Sequence, residues 1–260
     1  MCDVKKAFEN GKALIPFITC GDPDLETTAE VVRAAVQNGA DLIELGIPFS
    51  DPTAESAVLM EADQRALAAG ATTDKVFELV KELRQEITIP FVFMTYANVV
   101  FSYGTERFAQ KCADVGVAGV ILHDVPFEEK EEFAPICEKS GVDFISFVTP
   151  TYEDRLSMIA SGAQGFLYVV SSSGSTSASP EIKADLASIT KIIREKTSIP
   201  CATGFGAPSL EDVRQAALHA DGVIVDAAIM EIIAEYGKES APHVGQYIKK
   251  MKDVMRVIGE

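Results

Sequence analysis

At 260 residues the chain is long for one ordinary hydrophobic core but of normal length for a single α/β barrel, and 47% apolar residues are enough to fill both a barrel and a helix–sheet layer. Lys plus Arg number 23 against 39 Asp plus Glu, and the resulting net charge of −16 repels nucleic acid and anionic membranes, so neither is expected as a partner. The odd count of five cysteines without a CxxC, the lack of any run near the ~18 apolar residues of a membrane span, and a charged Met1–Gly11 without a signal-peptide core predict reduced thiols in a cytoplasmic protein.

Short β-rich runs alternate with longer helical stretches along the chain. The strand runs are Leu14–Thr19, Leu42–Leu45, Phe91–Thr95, Gly119–Leu122, Phe144–Val148, Gly165–Val170, Pro200–Thr203 and Gly222–Val225. Between them lie amphipathic stretches such as Thr27–Asn38, Thr73–Glu86, Thr105–Val115 and Pro180–Lys196. In the second of these, Val76, Leu79, Val80 and Leu83 recur at helical spacing. Glycines such as Gly39, Gly116, Gly141, Gly162 and Gly222 let each helix stop and turn into the next strand. Eight strand-then-helix repeats predict one (β/α)8 TIM barrel over residues 1–260, with a doubly wound open sheet as the structural alternative. The serine-rich Ser171–Ser179 reads as a loop after the sixth strand, not a linker.

In such barrels the reactive groups cluster at the carboxyl ends of the strands, and every second residue of a strand points inward. Glu44 is a carboxylate inside the otherwise apolar second strand. Burying it ionised and unpaired would cost several kcal/mol, so it is protonated, paired or functional, the bland alternative being a structural cap on a nearby loop. The loop that follows supplies Asp51 and Glu55. Two carboxyl groups on adjacent elements divide acid and base roles when their surroundings separate their pKa values.

Pro16–Pro23 and Glu44–Pro52 resemble the two signature blocks of the tryptophan synthase alpha subunit family. Tyr96-Ala97-Asn98, Asp124-Val125-Pro126 and Gly204-Phe205-Gly206 match in the same order, and the likeness runs from about Phe8 to Tyr236. The resemblance implies a lyase that cleaves indole-3-glycerol phosphate by retro-aldol chemistry to indole and glyceraldehyde 3-phosphate. It implies no metal and no organic cofactor, and a beta subunit as the partner that takes the indole. Glu44 would be the acid/base carboxyl, and Glu55 would stand where the family usually has Asp. Phe17, Tyr96, Ile121, Tyr168 and Phe205 would wall the aromatic site, although each also reads as ordinary barrel core. Asn98 and Phe101 match the partner-facing region.

Four departures fall at strand ends. The second-strand loop reads Glu55-Ser56-Ala57 where Gly-Pro usually follows the carboxylate, and the sixth-strand loop reads Gly174-Ser175-Thr176-Ser177, with Thr176 a substrate-binding candidate. His123 stands where a small residue or Pro precedes Asp-Val-Pro; it shares a face with Ile121 and is a candidate proton carrier as well as a structural hydrogen-bonding group. Asp226-Ala227, beside the Gly206 loop, replaces the Gly-Ser pair expected to hold phosphate. An inward, ionised Asp226 at about 4 Å would cost a phosphate roughly 4 kcal/mol per like-charge pair at an effective dielectric near 20. A protonated or turned-away Asp226 would not. His219 and His243 fall on helical stretches and are expected at the surface.

These departures leave further readings beside the alpha-type lyase. One is a pocket reworked, by nature or design, to abstract a proton from or cleave an unphosphorylated aromatic substrate, with Glu44, His123 or Asp226 as base. Another is a non-catalytic barrel that binds an aromatic ligand or a beta-like partner. A Ser–His–Asp hydrolase built from Ser171–Ser177 and His123 lacks a Gly-x-Ser-x-Gly elbow.

Overall fold

The structure is a computed structural model that describes residues 3–149, 152–170 and 180–258. Its strands are β1 (Ala13–Thr19), β2 (Ile43–Gly46), β3 (Phe91–Thr95), β4 (Gly119–Leu122), β5 (Asp143–Phe144), β6 (Ser146–Val148), β7 (Leu167–Val170), β8 (Cys201–Phe205) and β9 (Gly222–Val225). All neighbours are parallel, in the order β5-β4-β3-β2-β1-β9-β8-β7-β6. The two ends of this order are consecutive in the chain, parted only by Ile145, so the sheet closes on itself as the expected (β/α)8 barrel.

The fifth predicted strand, Phe144–Val148, is therefore two short pieces. Its pairing changes partner midway: Asp143 and Phe144 pair with β4, whereas Ser146–Val148 pair with β7. Ile145 keeps its N–H on the Val120 carbonyl at 2.9 Å, so the path stays continuous where the ladder label breaks.

The helices are α1 (Leu25–Gln37), α2 (Ala57–Ala68), α3 (Thr73–Leu83), α4 (Ala97–Tyr103), α5 (Thr105–Val115), α6 (Ala134–Lys139), α7 (Glu153–Ser161), α8 (Pro180–Lys196), α9 (Leu210–His219), α10 (Ala227–Tyr236) and α11 (Ser240–Arg256). Their apolar stripes bury against the barrel as the periodicity requires. On α3 the stripe is Val76, Phe77, Leu79, Val80 and Leu83, behind a Thr72 cap whose hydroxyl accepts the Lys75 N–H. Phe77 lies 5.4 Å from the ring of Phe93 on β3, which ties helix to strand. Residues of β1, β2, β3, β4 and β9 are buried throughout, as strands covered on both faces must be.

Two glycines shape the inside of the barrel. A Cβ on Gly46 would come within 2.5 Å of the Phe17 ring, and one on Gly204 within 2.5 Å of the Tyr168 hydroxyl. Both rings lie over bare backbone, which only glycine provides. Gly46 is two residues beyond Glu44 on β2, so the carboxyl and this gap share a sheet face.

Cys20, Cys112, Cys137 and Cys201 are buried free thiols. His219 and His243 are half-buried rather than fully exposed, and His243 stacks on Tyr236 with ring centres 3.7 Å apart. Among the described residues no helix is long and apolar enough to cross a membrane.

Candidate active site

Glu44 sits on β2 between Phe17 of β1 and Val92 of β3 in the ladder. It is fully buried, and neither carboxyl oxygen has a hydrogen-bond partner among the described residues. Burial, followed by the charge of Asp226, pushes its pKa up to about 8. At neutral pH Glu44 therefore holds its proton, as an acid must before it can deliver one.

Glu55 lies on the segment between β2 and α2, with a side chain only 8% exposed. Burial and then Asp63 raise it to about 8, against the opposing pull of the Tyr96 hydroxyl. Tyr96 caps the start of α4, and its hydroxyl accepts the Ala54 N–H at 3.1 Å while also meeting the Glu55 carboxyl. One phenol thus anchors the loop and the carboxyl it carries.

His123 follows β4 directly and extends its ladder by donating its N–H to the Thr95 carbonyl at 3.0 Å. Its ring stands edge-on to Tyr96 at 5.6 Å and tilts against Phe147 at 5.3 Å. Nδ1 lies 3.9 Å from the Glu55 Oε1 atom and has no hydrogen-bond partner among the described residues. Burial pushes the imidazole down to about 4, with Asp124 opposing, so the ring is neutral at neutral pH.

The aromatic wall falls on the barrel lining. Phe17 and Ile121 are buried on β1 and β4, and Tyr168 on β7 packs its ring 4.9 Å from Phe147. Burial raises the Tyr168 phenol, with Glu44 and Asp226 adding to the effect. Phe205 ends β8 opposite Val225. Thr176 lies outside the described residues, as does the Phe205 side chain.

Asp226 precedes α10, and its side chain turns back to accept the Ala227 N–H. The next amide, Ala228 N–H, donates to the Gly206 carbonyl at 3.0 Å, and Ile229 N–H donates to the Asp226 carbonyl at 2.9 Å. The first amides of α10, normally free to hold an anion, are already engaged. Asp226 is nevertheless buried enough for its pKa to rise to about 6, and its charge reaches Glu44, Glu55, Tyr168 and Tyr247.

Two sets of candidates emerge: Glu44, Tyr168 and Asp226 on one side, and Glu55, Tyr96 and His123 on the other. Asp63, Phe147 and Tyr247 join them without having been singled out from the sequence. Asp63 is a buried carboxyl on α2 that accepts the Phe49 N–H at 3.1 Å and is raised to about 7, chiefly by burial. Its sequence signal is a charge on the helix's apolar stripe, four residues after Leu59 and one after Ala62. Tyr247, whose hydroxyl is buried and unpartnered among the described residues, comes from α11 and feels the charge of Asp226.

Desolvated carboxyl groups at the carboxyl side of parallel barrel strands, walled by aromatic rings, define a barrel enzyme that works by acid/base chemistry. A sequence model of the family described as tryptophan synthase alpha chain matches residues 4–257. The tryptophan synthase alpha chain of Lacticaseibacillus casei is 42% identical over 252 residues, spanning 97% of this chain and 95% of that one. A crystal structure of tryptophan synthase subunit alpha from Legionella pneumophila superposes with a TM-score of 0.89 at 34% identity, covering 99% of this chain and 100% of that one. A chain from a structure of the tryptophan synthase a2b2 complex of Pyrococcus furiosus gives 0.85 at 31% identity, covering 94% and 99%. This chain belongs to the tryptophan synthase alpha chain family. Membership favours the lyase over a reworked pocket and over a non-catalytic barrel.

The buried carboxyls also set how stability responds to pH. Folded Glu44 keeps its proton to about pH 8, whereas the ordinary value for an unfolded chain is 4.5. Between those limits the folded state binds more protons, so stability is greatest below the window and is lost as pH rises through it. Urea unfolding at several pH values should show this fall, with a shallower slope for Glu44→Gln; identical slopes would rule out a raised Glu44.

Proposed function

We propose that Glu44 and Glu55 are the two carboxyl groups with which this lyase cleaves indole-3-glycerol phosphate to indole and glyceraldehyde 3-phosphate. The observation that carries the assignment is Glu44 itself: fully buried, without a hydrogen-bond partner among the described residues, and protonated at neutral pH. Protonation at indole C3 by Glu44 places positive charge on the ring nitrogen, and the resulting Glu44 carboxylate then takes the proton of the adjacent side-chain hydroxyl. The carbon–carbon bond breaks, its electron pair restores the indole ring, and the hydroxyl carbon becomes the aldehyde. Glu55 acts as the carboxylate that accepts the indole N–H and stabilises its charge. Phe17, Ile121 and Tyr168 supply the apolar wall. Glu44→Gln should lower kcat by about 10²- to 10⁴-fold with KM little changed, because the acid/base group is lost and the pocket kept. An unchanged kcat for indole release would refute the assignment.

Asp226 bears on how tightly the phosphate end is held. It occupies the amide of Ala227 at the start of α10, the kind of helix terminus that barrels offer to phosphate. Below pH 6 Asp226 is neutral and yields the amide; above it the carboxylate competes for the amide and repels the dianion. KM for the phosphorylated substrate should therefore climb with pH above about 6 in the parent. Asp226→Gly should flatten that climb and lower KM by about tenfold or more at pH 8, given roughly 4 kcal/mol per like-charge pair. A parent KM independent of pH would exclude this role.

The partner in this reading is a tryptophan synthase beta subunit, supported by the a2b2 complex of the Pyrococcus furiosus relative. Asn98 is exposed on α4, and Phe101 is 51% exposed there with its ring 4.8 Å from Phe133. An exposed aromatic held by a neighbour is well suited to anchor an interface. The buried free thiols suit the cytoplasm. With a beta subunit from a relative, Phe101→Asp should weaken co-elution on gel filtration while leaving indole release by the isolated chain unaltered; undiminished co-elution would remove Phe101 from the interface.

A further inference from the structure

Glu55 has a difficulty that Glu44 does not. To accept the indole N–H it must be ionised, yet burial and the nearby Asp63 keep its proton on up to about pH 8. The charged and titratable groups acting on it are Asp63 from α2, Tyr96 from the start of α4, and Asp226 from the start of α10, and none of them is a cation. Tyr96 alone favours the ionised form, through a hydrogen bond.

One basic atom does face it. The His123 Nδ1 atom is 3.9 Å from Glu55 Oε1, buried, and without a partner among the described residues; the second Glu55 oxygen, Oε2, is likewise buried and unpartnered. The ring is set by its neighbours, edge-on to Tyr96 and against Phe147, and its backbone is fixed by the bond to Thr95. The other charged group acting on it is Asp124, the next residue, which favours the imidazolium. Two buried polar groups within 4 Å of each other, both short of partners, gain most by closing on one shared proton.

We propose that His123 is a positioning residue that holds the Glu55 proton while indole is bound, so that Glu55 meets the ring nitrogen as a carboxylate. This deepens the assignment of Glu55 made above and rests on it. In the transfer the Glu55 O–H bond breaks, its electron pair stays on the oxygen, and an N–H bond forms at Nδ1. The pair keeps one proton and no net charge throughout, so the step avoids burying an uncompensated ion, and the attraction between a carboxylate and an imidazolium this close opposes the burial that otherwise keeps the ring neutral. Nothing is oxidised or reduced. His123 touches Glu55, not the reacting carbon.

The consequence is a difference in pH dependence. With His123 present, the ionised Glu55 is reached without releasing a proton to solvent, and kcat stays level down to mildly acidic pH. Without it, Glu55 must lose its proton outright, and kcat falls about tenfold per pH unit below the Glu55 pKa. The experiment measures kcat for indole release from indole-3-glycerol phosphate between pH 5.5 and 9 for the parent, His123→Ala and His123→Asn. Both variants are expected to be slower by about tenfold or more at pH 6.5 and to converge on the parent near pH 9. Asn restores a hydrogen bond but cannot take the proton, so it should behave as Ala. Profiles parallel to the parent's would overturn the proposal. Should no chain release indole at any pH, the reaction assigned above fails instead, and a second readout still decides His123. With saturating indole at pH 7, the ¹⁵N shift of His123 Nδ1 should be that of an imidazolium in the parent and of a neutral ring in Glu55→Gln. A neutral ring in the parent would overturn the proposal on its own.

Discussion

The site depends on one constraint: carboxyl groups held out of water with no cation to offset them. Glu44 is the clearest case, because a barrel strand covered on both faces leaves an inward carboxyl without solvent and, among the described residues, without a hydrogen-bond partner. Its proton is retained chiefly for that reason. Asp226 strengthens the effect on Glu44, and Asp63 does the same for Glu55. Arg65 on α2 is committed to buried Asp22 by a two-point bond, at 2.8 Å on each side.

The same constraint explains why small residues matter as much as charged ones. Gly46 and Gly204 leave room for Phe17 and Tyr168 to lie across bare strand, next to the carboxyls. Those rings keep water out and thereby maintain the low-dielectric surroundings on which the Glu44 proton depends. At the start of α10 the first amides are taken by Asp226 and Gly206. The state of Glu44 and the freedom of that helix terminus are thus linked through one residue: the carboxylate that raises Glu44 also occupies the first amide of α10.

Much of this was legible in the residues, and what was not has physical causes. The strand runs and glycine stops located the barrel because parallel buried strands are nearly all apolar. Glu44 stood out against that background as a lone charge. The change of pairing partner within Phe144–Val148 leaves no mark on such an apolar run, although the strand path itself stays continuous. Asp63 and Tyr247 were invisible for a different reason. They sit on helices, where a polar residue is ordinary, and only the fold reveals that they face inward. For Asp226 the sequence posed a choice between pointing in and turning away; the structure shows a half-buried side chain turned onto its own helix.

The departures from the family pattern are coupled rather than scattered. Glu55 carries one methylene more than the usual Asp, which lets its carboxyl reach both the Tyr96 hydroxyl and the neighbourhood of His123. A small residue at position 123 would leave that longer carboxyl facing empty apolar space, where ionisation is most costly. His123 Nδ1 stands 3.9 Å from Glu55 Oε1, and the effects of changes at such neighbouring positions do not add independently. Positions 123 and 55 therefore meet across the ends of two strands, where a change at either alters the surroundings of the other.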